Sequence, residues 1–162
     1  MLFRSFYADR INSANRVAAL AGAKELAQAW TAAIRGDKTA PALLKAVPVG
    51  QRSAGYVFAE AEYLRRQKKD EEAAAVMLTA PTDPAALVDP DAWWVERRVL
   101  SRELADLGDM KTAYRIVAAH AAESPANAAE AEFHAGWYAL RGLNDPATAA
   151  KHFGRIAILA QG

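Results

Sequence analysis

Apolar residues recur at spacings of three and four along almost the whole chain, with polar residues between them. That period is typical of helices that bury one face, and β-branched residues nowhere alternate with polar ones over the length of a strand. The pattern therefore predicts an all-α protein. The predicted helices are residues 2–20, 23–35, 41–47, 51–68, 71–79, 91–107, 109–122, 127–143 and 146–160.

Glycine and proline punctuate the predicted helices. Gly22 and Gly36 stand where a helix ends, and Pro48 stops the short helix before it. Residues 81–91 contain three prolines and are predicted to form a loop. Pro125 is predicted to break the chain between two helices.

Two of the longer predicted helices are apolar on two flanks, which indicates a neighbour on each side. The flanks of helix 51–68 are Tyr56, Ala59 and Tyr63, and Phe58, Ala61 and Leu64; those of helix 127–143 are Phe133, Trp137 and Leu140, and Ala131, Ala135 and Tyr138. Helix 91–107 places Trp93, Leu100, Leu104 and Leu107 on one face. We therefore predict that the tryptophans pack mainly in the core. Trp94 is the tryptophan best placed to stack instead on a sugar ring or a partner.

A repeat runs through the second half of the chain. Asp70, Asp109 and Asp145 each open the second helix of a predicted pair, at spacings of 39 and 36 residues. An alanine follows four positions later and an apolar residue four further on: Ala74 and Leu78, Ala113 and Val117, Ala149 and Phe153. Helix pairs at this period predict an α-solenoid, or superhelix, of antiparallel pairs, tetratricopeptide-like in type. The predicted organisation is a group of N-terminal helices in residues 1–48, then hairpins 51–80, 91–122 and 127–160 within residues 49–162.

Composition and charge narrow the function classes. Alanine supplies 40 of the 162 residues, which favours closely packed helices, and the absence of cysteine excludes disulfide and thiolate chemistry. The net charge of +1 divides into +7 over residues 1–69 and −6 over residues 70–162. This asymmetry fits either solvated helix faces or a surface that meets an oppositely charged partner. Basic residues are not interleaved with aromatic ones, so we predict no nucleic-acid binding.

The sequence offers little support for membrane insertion or for a catalytic site. No apolar run is long enough to span a bilayer, and Arg4, Asp9 and Arg10 interrupt any signal-peptide core. The chain has no glycine-rich phosphate loop and no His-Glu-x-x-His, so we predict no cofactor, no metal and no catalytic residue.

The three histidines, His120, His134 and His152, are predicted to hydrogen-bond at helix surfaces or pockets. A small helical enzyme in which His134 and His152 meet across a turn is the competing hypothesis. Glu130 and Glu132 lie two apart on a helix and are predicted to face different ways, so that they do not form a carboxylate pair.

Residues 90–153 resemble a specific family. The motifs are Trp93-Trp94-x-Glu96-Arg97-Arg98, Leu107-Gly108-Asp109, Ala113-Tyr114, Glu132-Phe133-His134-Ala135-Gly136-Trp137, Asn144-Asp145-Pro146 and His152-Phe153. Together they resemble the helical superhelix of bacterial soluble lytic murein transglycosylases of the alphaproteobacterial kind. Residues 1–80 are similar to the preceding part of that superhelix, through Leu44-x-Ala46-Val47-Pro48 and Tyr63-Leu64-Arg65-Arg66.

In that family the superhelix precedes a lysozyme-like domain that acts in the periplasm. A glutamate in a Glu-Ser-x-Phe motif, with Gly-Leu-Met-Gln following, cleaves the β-1,4 bond between N-acetylmuramic acid and N-acetylglucosamine and leaves a 1,6-anhydro sugar. The one Glu-Ser pair in this chain, Glu123-Ser124, is followed by Pro125 and matches neither motif. The resemblance therefore implies a non-catalytic scaffold segment of a periplasmic parent enzyme, which positions glycan strands or partner proteins.

The alternative hypothesis is a general tetratricopeptide-like adaptor for protein–protein interaction. Candidate binding residues under either hypothesis are Trp94, Arg98 and His134. If the chain is a solenoid cut between repeats, its last helices are expected to expose an apolar flank that favours self-association. The expected exposed members are Tyr138, Ile158 and Leu159.

Overall fold

The computed structural model describes residues 4–7, 11, 14, 18 and 22–159, which form helices and turns and no β-strand. The helices are α1 (Arg4–Tyr7), α2 (Lys24–Ile34), α3 (Ala40–Ala46), α4 (Ala54–Arg66), α5 (Asp70–Met77), α6 (Pro84–Leu87), α7 (Pro90–Asp106), α8 (Met110–Ala118), α9 (Pro125–Trp137) and α10 (Pro146–Leu159). A 3₁₀ turn, Val49–Gln51, precedes α4, and a π-helix, Tyr138–Gly142, continues α9. The prediction of an all-α protein built from paired helices is confirmed. Most of the predicted helix 2–20 lies outside the described residues.

The chain divides into two compact units, residues 1–81 with 86–89 and residues 82–85 with 90–162. In the first unit, α2 packs against α3 and α4, and α4 pairs with α5. Aromatic rings fill its centre. Trp30 is fully buried, stacks on Phe6 with 5.0 Å between ring centroids, and meets Tyr7 edge-on at 5.1 Å. Phe58 of α4 closes the group at 4.7 Å from Tyr7, so that the rings join α1, α2 and α4.

In the second unit, α7 pairs with α8 and α9 with α10, and α8 also packs against α9. The repeated aspartates explain two of the turns. Asp109 Oδ1 accepts a hydrogen bond from the backbone N–H of Thr112 at 3.0 Å, and Asp145 Oδ1 accepts one from Thr148 at 2.9 Å. Each aspartate thereby satisfies one of the free N–H groups at a helix start. Asp70 differs, because it is the first residue of α5 and Lys69 precedes it as the cap.

Small residues let the helices of a pair approach closely. The predicted repeat alanines, Ala74, Ala113 and Ala149, are all buried, which confirms their assignment to the helix interface. Gly136 goes further, because a Cβ there would lie 2.5 Å from the ring of Phe153 on α10. A Cβ on Gly142 of the π-helix would lie 2.6 Å from Met110 Cβ on α8. A side chain at either position would therefore force the ring of Phe153 or the side chain of Met110 to shift.

Several local predictions were wrong. The predicted loop 81–91 contains the short helix α6, and Pro125 begins α9 instead of breaking the chain, as proline does at the first turn of a helix. Leu107 is 69% exposed at the end of its helix, since only the earlier part of that apolar face is covered.

The two flanks predicted for residues 127–143 differ in burial. Ala131, Ala135 and Tyr138 are buried, as predicted, whereas Phe133, Trp137 and Leu140 are 50%, 43% and 40% exposed. The first flank is covered by neighbouring helices, whereas the second is only partly covered, although the ring of Phe133 lies 6.2 Å from that of Phe153 on α10, measured between centroids. Tyr138 was also expected to be exposed at the last helices and is buried, whereas Ile158 is 71% exposed as expected and Leu159 is half-buried.

Candidate binding site on helix α9

The three residues singled out from the sequence, Trp94, Arg98 and His134, lie around the carboxylate of Glu130. The indole Nε1–H of Trp94 donates to Glu130 Oε2 at 2.9 Å. A guanidinium nitrogen of Arg98 donates to both carboxylate oxygens, at 2.8 and 2.9 Å. His134 lies one turn further along α9, with its ring 5.6 Å from that of Trp94. Since α7 supplies two of these side chains and α9 the other two, the group ties these two helices together.

Glu130 is held as a carboxylate. Burial alone would raise the pKa of Glu130, but the hydrogen bonds from Trp94 and Arg98, together with the charge of Arg98, outweigh it and leave the pKa below its ordinary value. The charged form is therefore the one that the surroundings stabilise at neutral pH. Its lone pairs are directed at protein donors, which makes Glu130 a structural acceptor.

The hydrogen bonds of His134 define its tautomer. Nδ1 lies 2.8 Å from the backbone carbonyl oxygen of Glu130, which only accepts, so Nδ1 carries the proton and donates it. Nε2 lies 3.2 Å from a guanidinium nitrogen of Arg102, which only donates, so Nε2 accepts. This is the neutral imidazole, and it holds Arg102 at the edge of the helix surface.

The hypothesis that Trp94 stacks on a ligand is wrong. Its side chain is fully buried, and its ring meets His120 and His134 edge-on instead of facing solvent. Trp93, its neighbour in the chain, is fully buried as well. Arg98 is engaged by Glu130, and of the three candidates His134 alone lines a cleft.

A second carboxylate, Glu132, collects a different set of partners that sequence reasoning missed. His152 Nδ1 donates to Oε2 at 2.6 Å, and His120 Nε2 donates to Oε1 at 3.2 Å. Arg155 adds a hydrogen bond to Oε1 at 3.2 Å. Tyr114 completes the group through its hydroxyl, 3.1 Å from the other nitrogen of His152. We call these five residues the Glu132 cluster.

The partners in the Glu132 cluster stabilise the charged form of the Glu132 carboxylate. Burial alone would raise the pKa of Glu132, but the hydrogen bonds from His152 and His120 and the charge of Arg155 outweigh it and lower the pKa below the ordinary 4.5. His120 Nδ1 accepts from the backbone N–H of Ala122 at 3.3 Å, so the neutral ring with its proton on Nε2 fits both contacts. The cluster joins α9, α10 and the end of α8.

The two clusters answer two questions raised by the sequence. Glu130 and Glu132 take separate partners, which confirms that they are not a carboxylate pair. His134 and His152 likewise belong to different clusters, His134 to that of Glu130 and His152 to that of Glu132. Within the described ranges, no three His, Cys, Asp or Glu side chains are arranged to hold a metal ion. The signal that could have found the Glu132 cluster is the position of Glu132 beside the apolar flank of Ala131 and Ala135, since a polar residue buried with that flank must itself be partnered.

A cleft of about 330 Å³ opens beside these clusters, on the uncovered flank of α9. We call it the Trp137 cleft, and its main lining residues are Arg102, Asp106, Met110, Phe133, His134 and Trp137. It lies wholly within the second unit, between α7, the start of α8 and α9. Buried Tyr138 also lines the cleft, and its hydroxyl lies 3.3 Å from Ser101 Oγ.

No family model, no curated protein and no solved structure matches this chain. None of the helices over the described ranges combines the length and the apolarity needed to cross a membrane.

Proposed function

We propose that this chain is a non-catalytic helical scaffold segment of a peptidoglycan lytic transglycosylase. In this proposal its surface positions glycan strands, or proteins that act on them, for a lysozyme-like domain elsewhere in a periplasmic parent enzyme. The observation that carries the proposal is the motif set of residues 90–153, which resembles that family's superhelix and coincides with paired helices.

The roles of the motif residues support a scaffold. Trp93, Trp94 and Arg97 are buried, and Arg97 donates to the carbonyl oxygen of Ile116 at 2.9 Å, which ties α7 to α8. Glu132 and His152 bridge α9 and α10. The aromatic and charged residues of the motifs thus contact other helices of the same unit. In the proposed function they stabilise the arrangement of the helices, and that arrangement is what a scaffold segment contributes.

Glu123 and Ser124, the one Glu-Ser pair, lie at the start of α9. Ser124 occupies the cap position, and Asp91 Oδ1 accepts hydrogen bonds from the backbone N–H groups of both residues. The pair is therefore fixed by its backbone as a helix start, and the side chain of Glu123 is exposed.

The second candidate function is a protein-interaction adaptor. The observation that favours it is the uncovered flank of α9, where Phe133, Trp137 and Leu140 are all substantially exposed. Exposed apolar groups that lie side by side mark interaction surfaces more often than isolated ones do.

Purified murein sacculi separate the two functions. The scaffold proposal predicts that the chain co-sediments with sacculi and releases no 1,6-anhydro muropeptides. Release of anhydro products by the chain alone would overturn the non-catalytic role. No sedimentation with sacculi, together with specific capture of a single protein partner from periplasmic extract, would instead establish the adaptor.

A further inference from the structure

We propose that the Trp137 cleft binds a neutral pyranose, with Trp137 as the stacking surface and Arg102 and Asp106 as hydrogen-bonding groups. The natural source would be the N-acetylhexosamine units of a glycan strand. The choice of that source rests on the proposed function, whereas the choice of a sugar rests on the chemistry of the cleft.

The apolar side of the cleft is an indole left open to solvent. Trp137 is 43% exposed, whereas the other three tryptophans, Trp30, Trp93 and Trp94, are fully buried. Its ring makes a T-shaped contact with the ring of Tyr138, with 5.5 Å between the centroids. Phe133, one turn earlier on the same flank, is 50% exposed. Aromatic rings held in this way offer flat apolar faces, and the C–H face of a pyranose is apolar and flat enough to stack on them.

The polar side of the cleft offers one donor group and one acceptor group. Arg102 makes its hydrogen bond to the neutral ring of His134, and no carboxylate among the described residues lies within ion-pair distance of it. Its remaining N–H groups are therefore available as donors. Asp106, one turn further along α7, is exposed and supplies carboxylate oxygens as acceptors. Adjacent hydroxyls and an acetamido group require donors and acceptors of this kind.

The net charge of the lining and the volume of the cleft both favour a small neutral ligand. One guanidinium and one carboxylate give the lining no net charge, since His134 is neutral, and this favours a neutral ligand over a polyanion or a basic segment. A volume of about 330 Å³ lies at the lower end of ligand sites, which suits a short stretch of sugar units. A purely apolar peptide would leave Arg102 and Asp106 desolvated without partners, so the sugar is the occupant that uses both sides.

The test uses the full chain and a soluble probe, the β-1,4-linked tetramer of N-acetylglucosamine. Since the other three tryptophans are buried, acrylamide quenching of tryptophan fluorescence reports mainly on Trp137. We expect the tetramer to protect this fluorescence in a saturable manner. Titration calorimetry on the Trp137→Ala and Asp106→Ala variants should then show binding weaker by about tenfold in each. Ile158→Ala, which removes an exposed apolar residue of α10 outside the cleft, should bind as the parent chain does.

The outcomes separate the cleft from the proposed function. Failure of the tetramer to protect Trp137, or unchanged binding by the two cleft variants, would overturn the inference. If the tetramer fails to protect Trp137 while sacculi still bind the chain, the cleft is wrong and the scaffold proposal stands. If the tetramer binds at the cleft but sacculi do not bind, the sugar site stands and the scaffold proposal is wrong. Protection of Trp137 by a neutral apolar peptide and not by the tetramer would identify a peptide groove, which also overturns the inference.

Discussion

Trp30 at the centre of the first unit is surrounded by other aromatic rings, whereas Glu132 in the second unit is surrounded by two histidines and an arginine. Both groups join three segments of their own unit. Ring packing is insensitive to pH, because it depends on burial and close contact between groups that do not titrate. A buried carboxylate is stable only while each partner is in place, so the second unit depends on a directional network. Two similar sets of paired helices are thus stabilised by different physical forces.

Loss of Trp30 should lower the stability of the chain more than any other change considered below. Trp30→Ala removes the ring that contacts Phe6, Tyr7 and Phe58, and the cavity left behind should lower the free energy of unfolding by about 3–5 kcal/mol. The expected loss is the same at pH 7 and at pH 5, because no titratable group is removed. Chemical denaturation followed by far-UV circular dichroism measures it. A loss below 1 kcal/mol would mean that the rings do not hold the first unit together.

Removing the charge of Glu132 should have the next largest effect. In Glu132→Gln one amide N–H₂ must face a histidine N–H, so one buried donor loses its acceptor, at a cost of about 1–3 kcal/mol. Glu123→Gln is the matched control, since Glu123 is exposed, and it should change stability by less than about 0.5 kcal/mol. Equal effects of the two substitutions would refute the directional network.

The same cluster predicts a pH dependence. Because the pKa of Glu132 is lower in the folded chain than its ordinary 4.5, its contribution is fully present above pH 4.5 and is lost as the pH falls through the lowered value. Stability measured from pH 6 down to pH 3 should therefore fall less steeply in Glu132→Gln than in the parent chain. Trp30→Ala should keep the parent slope, and parallel curves for all three chains would contradict this assignment.

The smallest of these effects concerns a turn of the repeat. Asp109→Ala removes the acceptor for the backbone N–H of Thr112 and should lower stability by about 1 kcal/mol, whereas Asp109→Asn keeps a capping oxygen and should cost less. Differential scanning calorimetry on the three chains tests the order. An asparagine variant as unstable as the alanine variant would indicate that charge near the helix start, and not the hydrogen bond, is the stabilising factor.

The sequence predicted the helices and the repeat turns well, because both follow from local chemistry. Apolar spacing reports which face of a helix is covered, and aspartate before a helix reports a cap, as at Asp109 and Asp145. The local pattern does not indicate which of two apolar flanks is covered by another helix. The flank of Phe133 and Trp137 has the same periodicity as that of Ala131 and Ala135, and only tertiary packing distinguishes them.

The sequence singled out three residues of the candidate site but did not predict that they lie together. Trp94, Arg98 and His134 do lie together, since residues on α7 and α9 at matching heights meet when the helices pack. Their common partner, Glu130, could not be inferred, because side chains more than thirty residues apart are paired by the fold and not by spacing. The Trp137 cleft was missed because it depends on which part of α9 the neighbouring helices leave exposed, and the sequence pattern does not contain that information.

The enclosed indole of Trp94 also makes this chain a natural reporter of its own opening. Its Nε1 proton is hydrogen-bonded to Glu130 inside a fully buried ring, so exchange of that proton with solvent requires α7 and α9 to separate. Trp137 carries the same indole group in a half-exposed ring. The ratio of the two indole proton lifetimes in a nuclear magnetic resonance spectrum therefore measures how often one helix contact of the second unit breaks while the chain as a whole remains folded.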